Sequence, residues 1–319
     1  MEKKRNGLFE VYRFILCFLP LYYHNFFFWE RNYEIFGIPE LAVDFFFMMS
    51  GFFLMNSMKK LKEEKIIVGI GKIMFGRVKP MMFTLCFISA FNFLCVILFI
   101  RENYLDTLFD LFKYWWFVLY LSIAIGILYL VYRILRSERV FVVFLVLLAI
   151  GMTWLHYDVM VRGKYISELV FFTRSFGCLS AGILVSYIPK IKKWKLLPSI
   201  PAVAILIPTL FYMAYVAKTF EVCLVMIFLF GALMYFSSHI PLGGGAFDLI
   251  GKLSVRMYLY MAFITMLRIL GLTNYRILFI IDITLAAMDL IITYYKGKYL
   301  ELKKQIKQPQ GIKNKKGEK

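Results

Sequence analysis

The sequence predicts an all-α, polytopic integral membrane protein. Of its 319 residues 61% are hydrophobic, and the mean hydropathy is +0.72, whereas a soluble domain is only about half apolar. Apolar runs of about 17–25 residues, the length that spans a bilayer as a helix, recur along the whole chain. Aromatic residues make up 19% of the chain, which suits lipid-facing and interfacial positions.

Ten apolar stretches are long enough to form transmembrane helices. They lie at about 8–28, 41–57, 81–100, 114–132, 140–155, 169–188, 198–216, 219–236, 254–272 and 276–295. The sequence contains no internal repeat and no segment with the composition of a soluble domain. We therefore predict one ten-helix membrane domain over residues 1–297. The remaining residues, 298–319, form a lysine-rich cytoplasmic tail that is disordered or lies on an anionic membrane surface.

The net charge of +18 is distributed as in a membrane protein rather than in a nucleic-acid-binding protein. If the N-terminus is cytoplasmic, 27 of the 38 lysine and arginine residues fall in the termini and loops on the same side, and eight fall in the opposite loops. The positive-inside rule relates this bias to orientation. The sequence thus predicts cytoplasmic termini at both ends and no nucleic-acid partner.

The cysteines and histidines indicate neither disulfides nor a metal site. All five cysteines lie in apolar runs without a C-x-x-C motif, as buried thiols do. His24 is in the first stretch, whereas His156 and His239 are predicted at opposite ends of the membrane, so no histidine cluster is expected. The sequence therefore predicts no bound metal or cofactor.

An arginine and a histidine interrupt the first stretch. Arg13 and His24 are 11 residues apart, about 20° more than three helical turns, so they share a face at a separation of about 16 Å. With a cytoplasmic N-terminus, Arg13 lies in the inner part of the membrane and His24 towards the outer side. Spacing alone leaves two interpretations open. Each side chain extends to its nearer interface, or both belong to a functional site, as ionisable groups inside membranes usually do.

The second stretch, "ELAVDFFFMMSGFF", favours the functional interpretation. Asp44 lies about one turn from its outer end, near the depth of His24, and a buried carboxylate needs a partner. A His24–Asp44 pair would fix the imidazole tautomer and stabilise an imidazolium. The alternative is that Asp44 is a helix N-terminal charge favoured by the macrodipole. Ser50 and Gly51 are typical of a close helix contact with one spare hydroxyl.

Basic residues precede the third stretch. The segment "FGRVKPMMF" places Arg77 and Lys79 on the predicted cytoplasmic side. With Arg13 they would form a basic pocket at the inner mouth of the helix bundle, and such clusters bind phosphate. The alternative is that these charges only set the orientation, and this alternative is favoured for Lys79 and slightly less so for Arg77.

Several motifs together resemble the membrane acyltransferase 3 family. The family opens with Arg-x10-His, continues with a G-V-D-x-F-F-x-x-S-G-F-like stretch and then has R-i-x-P. The matching residues here are Arg13, His24, Asp44, Phe45, Phe46, Ser50, Gly51, Phe52, Arg77 and Pro80. Later stretches resemble further family segments, at Tyr114 to Leu121, at Arg174 and Gly182, and at Gly251, Ser254, Tyr258 and Leu259. The chain departs from the pattern at Ala42, Val255 and Met261, the last in place of a frequent histidine.

The resemblance implies a stand-alone O-acyltransferase of the bacterial cytoplasmic membrane. Such an enzyme transfers an acyl group, usually acetyl from cytoplasmic acetyl-CoA, to a hydroxyl of a cell-surface or lipid-linked glycan. The resemblance also implies that His24 and Asp44 are catalytic residues, with His24 acting as general base or as a transiently acylated nucleophile. It implies Arg13, Arg77 and Ser50 as donor-binding residues, with Ser50 also a candidate oxyanion donor.

Two other classes of protein compete with the acyltransferase. In a proton-coupled transporter or flippase, Arg13, His24 and Asp44 would form a proton path or bind a substrate anion. The absence of an internal repeat argues mildly against this class. In a membrane scaffold without catalysis, these residues would have no reason to converge.

Overall fold

The computed structural model describes residues 6–22, 37–99, 116–161, 167–189, 196–216, 220–272 and 274–307. These residues are helical apart from short turns, and they contain no strand, which confirms the all-α prediction. They form α1 (Gly7–Tyr22), α2 (Gly37–Lys60), α3 (Ile66–Val78), α4 (Met82–Phe99), α5 (Trp116–Leu135), α6 (Glu138–Val161), α7 (Ser167–Tyr187), α8 (Leu196–Val216), α9 (Phe220–Ser237), α10 (Gly245–Ile269) and α11 (Tyr275–Lys307).

Seven helical segments in the described part of the chain are long and apolar enough to cross a membrane. They are Ile66–Phe99, Trp116–Leu135, Glu138–Asp158, Leu169–Tyr187, Phe220–Ser237, Gly245–Ile269 and Arg276–Lys296. They coincide with the third to sixth and the eighth to tenth predicted stretches. The fold is therefore that of a multi-pass membrane protein, while ten spans and two cytoplasmic termini stay predictions.

Several helices extend beyond the predicted apolar stretches, and helical residues lie furthest outside them at α3 and at the end of α11. Helix α3 lies in the predicted loop before the third stretch, and a 3₁₀ turn at Lys79–Met81 joins it to α4. The turn accepts Pro80 because the first positions of a helix need no backbone N–H donor. Helix α11 continues through Lys307, past the predicted boundary at 297, and residues 308–319 of the predicted tail lie outside the described residues. In both places the charged residues led to the prediction of a loop or a tail, whereas the structure places them on a helix.

Helices α2 and α7 make a close backbone contact. A methyl group added to Gly182 of α7 would fall on the main-chain carbonyl of Met48, and one added to Gly51 of α2 would fall on that of Leu179. Glycine permits this approach, as it does generally between membrane helices. The predicted close contact at Gly51 is confirmed. It fixes α2, which carries Asp44 and Ser50, against the α7 helix.

Helices α1 and α10 pack side by side and run in the same direction. The Asn6 side chain donates a hydrogen bond to the Ser237 carbonyl at 2.8 Å, which anchors the start of α1 to the end of α9. Further along, the Cys17 thiol donates to the Ser254 carbonyl at 3.1 Å. The first turns of α1, with Glu10 and Arg13, therefore lie beside the first half of α10.

Candidate functional site

A cavity of about 450 Å³ lies between α1, α2, α5, α10 and the junction of α3 with α4. Its volume is within the usual range of small-molecule sites, about 300–1,000 Å³. Arg13, Ser50 and Arg77 all line it. The structure therefore brings the three predicted donor-binding residues, which come from three different helices, to one cavity.

Among the described residues, four cationic side chains line this cavity. Lys252 and Arg256 of α10 join Arg13 and Arg77. The two α10 residues are four apart, so they lie on one face of the helix. From the sequence, Lys252 is one of the 27 cytoplasmic charges that set the orientation, and Arg256 is not among the candidate site residues. The signal for Arg256 was present, because it is an ionisable residue inside the ninth apolar stretch.

Glu10 holds the Arg13 guanidinium at the cavity wall. Both carboxylate oxygens of Glu10 accept hydrogen bonds from Arg13 Nη1 at 3.1 Å, and Glu10 itself is buried. The carboxylate occupies the space that a side chain at position 251 would need, so Gly251 makes room for it. Arg13 therefore lines the cavity, whereas the alternative from spacing alone had its side chain extending to the nearer membrane interface.

Arg256 is fixed by a buried polar network that includes Asp289 of α11. Its Nε lies 3.4 Å from Asp289 Oδ2, which is an ion-pair distance without hydrogen-bond alignment, and its Nη1 donates to the Lys252 carbonyl at 3.1 Å. The Thr84 hydroxyl donates to the same Asp289 oxygen at 2.5 Å. A buried ion pair needs such additional hydrogen bonds to offset the desolvation of its charges. The network keeps a positive charge in the cavity wall.

The rest of the cavity wall is apolar and aromatic, with a few hydroxyls. The residues of α2 that line it run from Phe46 to Ser57, which corresponds to about 16 Å along the helix axis. The ring of Phe117 contacts both Phe46, at 6.3 Å between centroids, and Tyr258, at 5.5 Å. The site thus offers a basic region and an elongated aromatic one, with Ser50, Ser57, Ser254 and Tyr258 as hydroxyl groups.

Asp44 lies just beyond the Phe46 end of the cavity and forms an ion pair with Arg174 of α7. Arg174 Nε donates to Asp44 Oδ1 at 2.5 Å, and the Cys178 thiol donates to the same oxygen at 3.5 Å. The Arg174 side chain is 6% exposed and that of Asp44 25%. Asp44 therefore has a charged partner inside the bundle. His24, the partner predicted from the sequence, lies outside the described residues, and so does any contact between the two.

His156 lies near this ion pair. The sequence predicts it at one end of the membrane, and in the structure it is part of the last turns of α6. The charges of Arg174 and Asp44 both act on its imidazole. Its Nδ1 is buried and has no hydrogen-bond partner among the described residues. The predicted apolar stretch ends at residue 155, whereas the helix continues to Val161.

These features define a class of protein: a multi-pass helical membrane protein with a basic, aromatic-walled cavity beside an Asp–Arg pair whose arginine is buried. Within the described residues, no group of three or more His, Cys, Asp or Glu side chains forms a candidate metal site. No family model, curated protein or solved structure matches the chain. The resemblance to the membrane acyltransferase 3 family therefore stays a prediction.

Proposed function

We propose that the protein transfers an acyl group, most simply acetyl from cytoplasmic acetyl-CoA, across the membrane to a hydroxyl of a surface or lipid-linked glycan. The observation that carries the proposal is the convergence of Arg13, Ser50 and Arg77 on one cavity with Lys252 and Arg256. The sequence motifs alone identify the first three residues as candidates for donor binding.

The cavity suits a donor with a polyanionic head and a long, thin arm. Guanidinium groups bind phosphate through paired, charge-assisted hydrogen bonds, and lysine adds a point charge. In the predicted orientation, Arg77 and Lys252 lie near the cytoplasmic side, where acetyl-CoA is available. A pantetheine arm extending from there along the apolar wall would carry the thioester towards Phe46, Phe117 and Tyr258.

Catalysis would take place at the Asp44 end of the cavity. His24, oriented by Asp44, would remove the proton of the acceptor hydroxyl as that oxygen attacks the thioester carbon. Among the described residues, the contacts of Asp44 use Oδ1, so Oδ2 is available to an imidazole while Arg174 holds the carboxylate in place. An acyl-histidine intermediate is the alternative route.

A proton-coupled transporter or flippase is the second candidate function. The observation that favours it is Asp282 of α11, which is fully buried and whose carboxylate oxygens have no hydrogen-bond partner in the described part of the chain. Ionisable residues inside a membrane often mark proton relays. A transporter would move its substrate without forming an ester, and product analysis distinguishes the two candidates.

Arg13→Gln and Arg77→Gln are each expected to raise the KM for acetyl-CoA about 10- to 100-fold with little change in kcat. Each variant removes charge-assisted hydrogen bonds to phosphate, worth about 1.5–3 kcal/mol, and 1.4 kcal/mol corresponds to tenfold. The assay is transfer of labelled acetyl to a glycan acceptor by the purified protein. Arg139→Gln, at an exposed position on α6, is the matched control and should leave the KM unchanged. A rise only in the requirement for acceptor would contradict donor binding by these arginines.

His24→Ala is expected to lower the rate of transfer by at least about 10²–10⁴-fold, because it removes the general base. Expression and acetyl-CoA binding should stay normal. His239→Ala is the control, since His239 lies between α9 and α10, where its ring contacts Tyr235. Normal turnover by His24→Ala would refute the catalytic assignment. Acetyl-CoA binding by the wild-type protein without ester formation would favour transport.

A further inference from the structure

We propose that Tyr258 is a catalytic residue that donates a hydrogen bond to the carbonyl oxygen of the bound thioester. This inference rests on the proposed acyl transfer and names a group that it requires. Acyl transfer places negative charge on the carbonyl oxygen, and a preorganised donor aimed at that charge is usually a large contribution to catalysis. The sequence motifs identify only Ser50 as a candidate for this role.

The position of Tyr258 fits the thioester end of the cavity. It lines the cavity from α10, six residues after Lys252, which is about 9 Å along the helix axis. Because Phe117 contacts the rings of both Phe46 and Tyr258, the phenol ring lies near the level of Phe46. Ser50 is one turn of α2 further from Asp44, so Tyr258 is the hydroxyl nearer to the proposed catalytic pair.

The Tyr258 hydroxyl has no hydrogen-bond partner among the described residues. Tyrosine hydroxyls inside a protein usually have one. Tyr12 hydrogen-bonds the Ser237 hydroxyl, and Tyr129 donates to the Leu61 carbonyl. Ser254, the neighbouring hydroxyl on the same face of α10, donates to the Gly251 carbonyl. The Tyr258 proton is therefore available to a ligand in the cavity.

Arg174 strengthens this assignment electrostatically. Its guanidinium lies close enough to the Tyr258 phenol for its charge to act on it, and the same guanidinium pairs with Asp44. Tyr258 thus lines the cavity and also lies near the guanidinium that pairs with Asp44. A positive charge near the donor favours negative charge on the oxygen that accepts its hydrogen bond.

The step balances without a further reactant. As His24 takes the proton of the acceptor hydroxyl, the acceptor oxygen bonds to the carbonyl carbon and the carbonyl electron pair moves to its oxygen. Tyr258 donates a hydrogen bond to this oxyanion and keeps its own proton. When the intermediate collapses, the carbon–sulfur bond breaks, and the CoA thiolate receives the proton held by His24. The products are the acetyl ester and free CoA.

Tyr258→Phe tests the assignment, because it removes the hydroxyl and keeps the ring against Phe117. We expect kcat for acetyl transfer to fall about 10²–10³-fold, with the KM for acetyl-CoA nearly unchanged. Tyr132→Phe is the matched control: the Tyr132 hydroxyl is also buried without a partner among the described residues, but Tyr132 does not line the cavity. It should retain full activity.

A second measurement reports the hydrogen bond directly. With acetyl-CoA labelled at the carbonyl carbon and no acceptor present, the carbonyl stretching frequency should be lower when the donor is bound to the wild-type protein than to Tyr258→Phe. If the wild-type protein is active and Tyr258→Phe shows the same carbonyl frequency and the same kcat, the role of Tyr258 is wrong. The proposed acyl transfer would still stand. Absence of transfer by the wild-type protein would overturn the proposed function and this inference with it.

Discussion

Arg174→Met is expected to yield little folded, monodisperse protein. The substitution leaves the Asp44 carboxylate inside the bundle without its guanidinium, and breaking a buried ion pair in this way costs about 3–5 kcal/mol. Because the Asp44 side chain is 25% exposed, we expect the lower end of that range. The measurements are the yield of monodisperse protein in detergent and the midpoint of thermal unfolding.

Two further variants make this result specific. The double variant Asp44→Asn with Arg174→Met removes both charges and should recover most of the stability, while transfer stays low because His24 loses its orienting carboxylate. Lys59→Met removes one member of an exposed ion pair, with Glu138 at 3.2 Å, and should cost at most about 1 kcal/mol. A stable Arg174→Met variant would show that the pair is not structural. Full activity in the double variant would exclude Asp44 from catalysis.

The positions of the helices follow from the sequence because the bilayer imposes a length and a composition on them. The described helices α4 to α10 therefore coincide with apolar stretches. Helix α3 and the end of α11 were missed for the same reason. Their lysine and arginine residues belong to helices that extend beyond an apolar core, and hydropathy alone does not distinguish these residues from loops.

The site was partly predictable. Arg13, Ser50 and Arg77 were identified because they are charged or hydroxyl residues in or beside apolar stretches. Their order and spacing also resemble a family motif. Arg256 was missed although it carries the same signal. The pairing of Asp44 with Arg174 joins residues 130 positions apart, and no local periodicity relates them. Only the packing of α2 against α7 brings the two together.

Gly182→Ala is expected to destabilise the protein by about 1–3 kcal/mol or more, the cost of overpacking a well-packed interior. The added methyl group would fall on the main-chain carbonyl of Met48, and a backbone atom cannot rotate away as the end of a flexible side chain can. Helices α2 and α7 would have to separate. Both the thermal midpoint and the rate of acetyl transfer should therefore fall, since α2 carries Ser50 and Asp44.

Gly151→Ala is the matched control for this prediction. It makes the same substitution within a helix that packs on α7, but nothing lies within 4 Å of the added methyl group. Alanine favours the helix over glycine by about 1 kcal/mol, so the midpoint should hold or rise. Equal midpoints for the two variants would show that α2 and α7 tolerate a wider separation. Loss of activity by Gly182→Ala with an unchanged midpoint would mean that the contact positions Asp44 and Ser50 without contributing to stability.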